Sequence, residues 1–431
     1  MKIHFLNHAS VFVEIGSIRL LTDPWFFDTC FQKGWGLRFH NEKAFEFAQT
    51  ASHLWISHFH SDHFHTPTLK RIQEINPEIV VLGNHSYNFQ LDETLRNLGF
   101  KQVISLKERK IFSLSETVKI TRYPTTGIDN MLFIQSPEGN ILNYNDCNLP
   151  PLSRKLFARK LKDIDIFMTN FNHAGKLLIY PPKSPDEIKT RLKNSFRNNY
   201  DFFEVKYIFP FASHHYYRAP ESLSQNDSLL QAAELLSLDE RILNLNIGDT
   251  LSYDKKTGEI FIENGVFTEN EKTVLSRGET IPYSQLEETS KIYCQSLRKH
   301  FGWLAYFMPA FYLKIADLGI QVNLDIRRGI RQTRAETAPH ITAHSEAIYN
   351  WFSSPFGTDS FVVGAHFEIS NENKIPLKWQ IVLGLLIDNK LSIKSIFRML
   401  RGLSGIQFLY NRREEIAGIL LQRKLHADYH D

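Results

Sequence analysis

The sequence predicts an α/β sandwich followed by a smaller α+β unit. Three observations carry this. Short β-rich runs recur through the first half, helical patterns with start signals follow several of them, and the chain turns polar and turn-rich near residue 270. The runs are KIHFL, SVFVEI, IRLLTD, HLWISH, EIVVLG, KQVISL, VKITRY, NMLFIQ, NILNYND, DIFMTNF and KYIFPFA. TPTLKRIQEIN (66–76) and SPDEIKTRLKNSFRNN (184–199) each open at Ser or Thr followed by Pro, which predicts helices. PEGN (137–140) predicts a hairpin whose second strand carries Asp146 to its end.

At 431 residues the chain exceeds one typical domain. The polar stretch over 250–285 sets the expected division: 1–270 for a metal-binding unit, 271–431 for an α+β unit that contributes to substrate binding. The second unit reads as a helix SQLEETSKIYCQSLRKHFGWLAYF, a strand IQVNLDI, HSEAIYNWF, a strand SFVVGAHFEI, and a helical pair around SIKSIFRMLRGL and RREEIAGILLQRKL. The cluster Arg327, Arg328, Arg331 and Arg334 reads as a solvated charge run more readily than as an anion site.

Charge says little, because 50 Lys+Arg against 47 Asp+Glu leaves a formal +3 and gives no argument for a nucleic acid or membrane partner. The N-terminus lacks the continuous apolar core of a signal peptide, and FGWLAYFMPAFYL (301–313) is too short to span a bilayer. A cytoplasmic location is therefore expected. Cys30, Cys147 and Cys294 are odd in number and form no C-x-x-C pair, so neither disulfides nor a Rieske cluster is expected.

The chemistry concentrates in ISHFHSDHFH (56–65). His58, His60, Asp62 and His63 form an H-x-H-x-D-H string just after an apolar run, which puts imidazole and carboxylate donors on one turn. Such donors suit zinc, iron or manganese better than a chance histidine-rich loop explains them.

NHASVFVEIGSIRLLTDPWF (7–26), ISHFHSDHFHTPTLK (56–70) and NILNYNDCNLP (140–150) together resemble the metallo-β-lactamase superfamily. KGWGLRFH (33–40), MTNFNHAG (168–175) and IFPFASHHYYRAPE (208–221) narrow the resemblance to the branch that contains CMP-N-acetylneuraminate hydroxylase. The resemblance implies an αββα sandwich with a mono- or dinuclear metal site at one edge. His58 and His60 then resemble ligands of a first metal, Asp62 and His63 of a second, and Asp146 the carboxylate that bridges them. Asp62 and Asp146 are the candidate catalytic carboxylates. Asp23 either lies near that site or caps a turn before Pro24.

The sequence departs from the pattern in one place. Many members place a further histidine between the string and the bridging aspartate, where this chain reads RYPTTGIDN (122–130). Asp129 or His85 substitutes there, or the first metal keeps an open position. The last ligand is one of His214 and His215, which point to opposite sides of an extended segment, with His173 competing. Arg38, His85, Asp129 and Arg218 are the candidate substrate contacts, while His40 and His65 read as surface or supporting residues.

What the resemblance implies is hydroxylation at two metal ions, iron ahead of zinc or manganese, on an anionic sugar- or lipid-linked substrate. A separate ferredoxin or reductase then supplies the electrons. The alternative is hydrolysis of an ester, lactone or phosphodiester by metal-activated water. A third reading is a non-catalytic binding module with a degenerate site.

Overall fold

A computed structural model describes residues 1–84, 91–125, 128–176, 184–333, 337–371, 373, 375–392, 394 and 403–425. His85, Arg334 and most of SIKSIFRMLRGL lie outside these residues. Every β-rich run of the first half forms a strand, and the two capped segments form helices Thr66–Ile75 and Pro185–Tyr200. Ser184 closes the second helix with a capping box to Glu187, the interaction its Ser-Pro-x-Glu start encodes. The hairpin also forms, as Asn130–Gln135 pairs antiparallel with Ile141–Asn145.

The strands make two sheets. The eight-stranded sheet runs Ile260–Glu263, Thr250–Tyr253, Lys2–Asn7, Ser10–Ile15, Ile18–Thr22, His53–Trp55, Val80–Asn84, Gln102–Leu106. The six-stranded sheet runs Ile111–Ser113, Lys119–Pro124, Asn130–Gln135, Ile141–Asn145, Ile164–Thr169, Val205–Pro210. Strand alternation sorts side chains between layers. Val11, Val13 and Ile15 enter the core shared with Leu132, Ile134 and Met168 of the other sheet, whereas Phe12 faces outward under helices Ala44–Thr50 and Thr66–Ile75. On the far side, Leu142, Tyr144 and Phe167 meet Phe157, Phe196 and Tyr200 of helices Pro151–Ala158 and Pro185–Tyr200. The layers are helix, sheet, sheet, helix.

A five-stranded sheet follows, in the order Gly329–Gln332, Ile320–Asp325, Phe311–Ile315, Ile341–Ala343, Glu368–Ile369. Its core joins helices Tyr283–Phe301, Ser345–Ser353, Gly357–Val363 and Ile375–Asp388. The chain then returns to the first half. Helix Arg413–Leu425 lies on Pro151–Ala158, so close that a Cβ on Gly418 would sit 2.1 Å from Ser153 Oγ. Arg412 clasps Glu108 at 3.0 and 3.2 Å and donates from Nε to Thr125 O at 2.7 Å.

Three expectations need correction. SFVVGAHFEI is not one strand, because Ser360–Val363 belong to helix Gly357–Val363 and only Glu368–Ile369 is extended. Stacking of Phe361 on Trp351 and Phe367 overrides the β-branched pair. The helix expected to reach residue 307 ends at Phe301, where Gly302 takes φ +58° and a tighter turn, Gly302–Phe307, begins. SYDKKTGEIFIE is not merely polar linker: Leu251 and Tyr253 enter the sandwich core, making Thr250–Tyr253 and Ile260–Glu263 the edge of the large sheet.

Candidate metal centre

One edge of the sandwich gathers the ends of strands from both sheets. Strand Lys2–Asn7 ends at His8, Ile18–Thr22 at Asp23, His53–Trp55 leads to the histidine string, and Ile141–Asn145 ends at Asp146. Asp129 precedes Asn130–Gln135, whose antiparallel direction brings its start to the same edge. His8, Asp23, Asn145 and Ala212 all hold φ between +30° and +56°. Non-glycine residues rarely adopt this region, and its use at four strand ends of one edge marks turns held by their surroundings.

The donors converge in three overlapping groups, His8 with Asp62 and His63, His58 with His63 and Asp146, and His58 with His60 and Asp129. Within each group one ligand atom per residue lies within 4.8 Å of the others. His63 Nε2 is 3.0 Å from Asp146 Oδ2 and 3.4 Å from Asp62 Oδ2, and His8 Nε2 is 3.2 Å from Asp62 Oδ2. His58 Nε2 faces His60 Nδ1 at 2.8 Å, with Asp129 Oδ1 at 3.6 Å. Asp62 Oδ1, Asp146 Oδ1 and His8 Nδ1 are buried without a hydrogen-bond partner. Facing imidazole nitrogens beside unpartnered carboxylate oxygens fit one or two divalent cations of the zinc, iron or manganese type.

Supporting groups fix the rings. Asp23 is fully buried: Oδ1 accepts from Ser57 N at 2.7 Å, and Oδ2 from Asn145 Nδ2 at 2.9 Å and His63 Nδ1 at 3.0 Å. Of its two expected roles, the structure gives Asp23 the one beside the site. Ser57 Oγ meets His58 Nδ1 at 2.8 Å. Asn130 donates to Ser57 O at 2.7 Å and is itself oriented by Arg122. These partners set which ring nitrogen points inward.

Electrostatics follow from burial and neighbours. Burial, with His63 and His60 beside it, pushes His58 well below the usual imidazole range. His63 goes well above that range: burial opposes the shift, but Asp62, Asp146 and Asp23 outweigh it. Asp62 is likewise held well below the carboxylate range against burial, by His63 and His8. Burial raises Asp129 to about 7.

The other expected residues fall elsewhere. His173 Nδ1 approaches Tyr217 OH at 3.0 Å and its Nε2 approaches Ser228 Oγ at 3.2 Å, the bonding of a core histidine. His214 packs its ring against Phe5, Phe39 and Phe171. His215 stacks on Trp35 with centroids 3.7 Å apart and borders His8 at 5.7 Å, its two ring nitrogens unpartnered. None of the three belongs to the groups above. Arg38 lies 3.9 Å from Glu269, and Arg218 donates to Thr273 and to Lys33 O, so segment 268–275 engages both. His65 caps helix Thr66–Ile75 through Thr68.

Sequence reasoning missed His8 as a donor. It stands in NHAS, 50 residues before the string, and no spacing rule links the two. Asp359 was missed as well; its Oδ1 lies 3.2 Å from His60 Nε2.

Residues 2–184 match the family described as the β-lactamase superfamily domain. This part of the chain is similar to that superfamily. The metallo-β-lactamase-fold sandwich and its edge of histidines and aspartates account for that match. The chain is 34% identical over 83 residues to the cytidine monophosphate-N-acetylneuraminic acid hydroxylase of Asterias rubens, spanning 19% of this chain and 13% of that one. It is 36% identical over 87 residues to the inactive human (Homo sapiens) protein of that name, 20% of this chain and 17% of the other. The matched stretch thus spans less than a fifth of either relative. Among solved structures, CmlA, a diiron β-hydroxylase from Streptomyces venezuelae, is 19% identical with a TM-score of 0.43 over 57% of this chain and 53% of its own. An isothiocyanate hydrolase from Delia radicum gut bacteria is 15% identical with a TM-score of 0.42 over 59% and 99%. No helix among the described residues is long and apolar enough to cross a membrane.

Proposed function

We propose that this protein is a metal-dependent hydroxylase with two irons, acting on an anionic sugar- or lipid-linked substrate with electrons from a separate ferredoxin or reductase. The observation that carries the reading is the donor set of His58, His60 and Asp129. Two imidazoles and one carboxylate with open positions suit non-haem iron in oxygenases. Likeness to the N-acetylneuraminic acid hydroxylases supports the same reading. Asp62, His63, His8 and Asp146 would hold the second ion, with Asp146 between the two.

Bound iron supplies dioxygen activation; the protein supplies position and shelter. Asp23 keeps the Nδ1 proton of His63 outward, leaving Nε2 for the metal. Ser57 does the same for His58. Trp25 and Trp35 wall the side of His8, which is buried from bulk water, and Phe31 borders the partly exposed His60. Arg38 and Arg218 would meet the substrate's anionic group only by exchanging Glu269 and Thr273 for it, and segment 356–366 of the unit expected from 271 onward lies over the site loops.

A hydrolase is the second reading, favoured by the same donor set, since two histidines and a carboxylate also hold catalytic zinc. Elemental analysis of protein from iron- and zinc-replete cells, paired with assays with and without oxygen, separates the readings. About two irons per chain, and turnover only with oxygen and a reductant, is the expected result. Zinc alone with anaerobic turnover of a model ester or phosphodiester establishes the hydrolase. No bound metal leaves the binding-module reading.

A further inference from the structure

We propose that Asp359, from the C-terminal unit, is a positioning residue of the metal centre: it holds the His60 ring so that Nδ1 faces the cation shared with His58 and Asp129. This rests on the metal-centre reading above and adds to it a residue 299 positions away in sequence.

The three histidines of the string share one arrangement. Each turns one nitrogen toward the donor groups and gives the other to an oxygen behind it. His58 Nδ1 meets Ser57 Oγ at 2.8 Å, His63 Nδ1 meets Asp23 Oδ2 at 3.0 Å, and His60 Nε2 meets Asp359 Oδ1 at 3.2 Å. The His60 nitrogen that remains, Nδ1, is the one 2.8 Å from His58 Nε2. Metal-bound histidines need such a partner to fix tautomer and ring angle. Ser57 and Asp23 come from the sandwich itself. The sandwich contributes Asp129 to the cation side of His60, so the outer side falls to Asp359.

Asp359 is held in place for this role. Its backbone N–H donates to Asp388 Oδ2 at 3.0 Å. Phe356, at φ +54°, stacks its ring on Phe59, the residue between His58 and His60, at 5.6 Å. A Cβ on Gly357 would lie 2.3 Å from Trp351 O, and one on Gly34 would lie 2.8 Å from Gly364 Cα, so both contacts require glycine. His366 Nε2 is 2.8 Å from Phe31 O. Segment 356–366 therefore docks on the site loops at several points, and the carboxylate arrives with little freedom to lose.

The test titrates cobalt(II) into chelator-stripped full-length protein, reading its visible spectrum and competing it with a chelator of known affinity. Wild type, Asp359→Ala, Asp359→Asn, His60→Ala and the Asp359→Ala/His60→Ala pair are compared, with thermal melting as the folding check. The expected result is a 10- to 100-fold loss of affinity at one of two sites in Asp359→Ala, with an altered spectrum. The loss is smaller in Asp359→Asn, which keeps an acceptor oxygen, and the double variant is no worse than His60→Ala alone. Wild-type affinity in Asp359→Ala, or losses that simply add, overturn the proposal while leaving the metal centre standing. A wild type that binds no cobalt overturns both. If Asp359→Ala does not fold, Asp359→Asn decides by the same comparison.

Discussion

Changing Asp23 to Asn removes a charge and one acceptor while leaving shape and backbone nearly untouched, since Asn is among the residues that best tolerate the +36° φ found there. Three donors converge on the two carboxylate oxygens: Ser57 N–H on Oδ1, Asn145 Nδ2 and His63 Nδ1 on Oδ2. An amide has one oxygen. In the Oδ2 place it leaves Ser57 N–H facing an NH2; in the Oδ1 place it abandons both other donors. The cheaper choice still loses one charge-assisted hydrogen bond at a fully buried position, which costs about 2 kcal/mol. In that orientation His63 Nδ1 donates to a neutral amide oxygen instead of a carboxylate, which makes Nε2 a weaker ligand, so affinity for the metal that His63 would bind falls about 10-fold. Urea unfolding of the metal-free protein reads the first quantity, and chelator competition the second. An Asp23→Asn protein that loses stability yet binds metal like wild type refutes the orienting role.

Three further outcomes follow from other parts of the molecule. Burial pushes the Glu108 carboxyl up, but Arg412 and Arg122 outweigh it and hold it below the usual range, so its contribution to stability is present at neutral pH. It is lost as pH falls through the depressed value, and Glu108→Gln flattens that acid limb of a stability-versus-pH curve; an unchanged limb counts against the pair. Gly418→Ala, which in an open helix would stabilise, here drives a methyl against Ser153 and lowers stability by about 1–3 kcal/mol, read from a denaturation midpoint. Cys30, Cys147 and Cys294 are buried and unpaired, and burial raises each thiol above its usual range. A thiol reagent should label none of them in the native state and all three after unfolding, and prompt native labelling would contradict the burial.

What could be read from the sequence was what neighbours in sequence decide. Alternation along KIHFL or SVFVEI and the Ser-Pro-x-Glu start at 184 act within a few residues, and those elements formed where expected. The string His58, His60, Asp62, His63 was legible for the same reason, since one turn carries it. The failures are non-local. Ser360–Val363 reads as strand until Trp351 and Phe367 offer Phe361 a stacking partner on each side. His8 becomes a donor only because the first strand ends beside Asp62. Asp129 was left between substrate contact and substitute ligand; the fold brings it to His58 and His60 through the antiparallel register of Asn130–Gln135.

The separation of Asp359 from the other groups also gives the site a history. At a synthesis rate of about 5–20 residues per second, Glu263, the last strand residue of the two sheets, leaves the ribosome roughly 5–20 s before Asp359 does. Through that interval the histidine string, Asp129 and Asp146 can already occupy their sandwich, while segment 356–366 does not yet exist to cover Phe59 and Phe31. A cation arriving then meets an open cradle; one arriving later meets a cradle that segment 356–366 partly covers. On the metal-centre reading, metal choice would depend partly on which ion is at hand during translation, and refolding the finished chain against mixed metals would then give a different loading from that achieved in the cell.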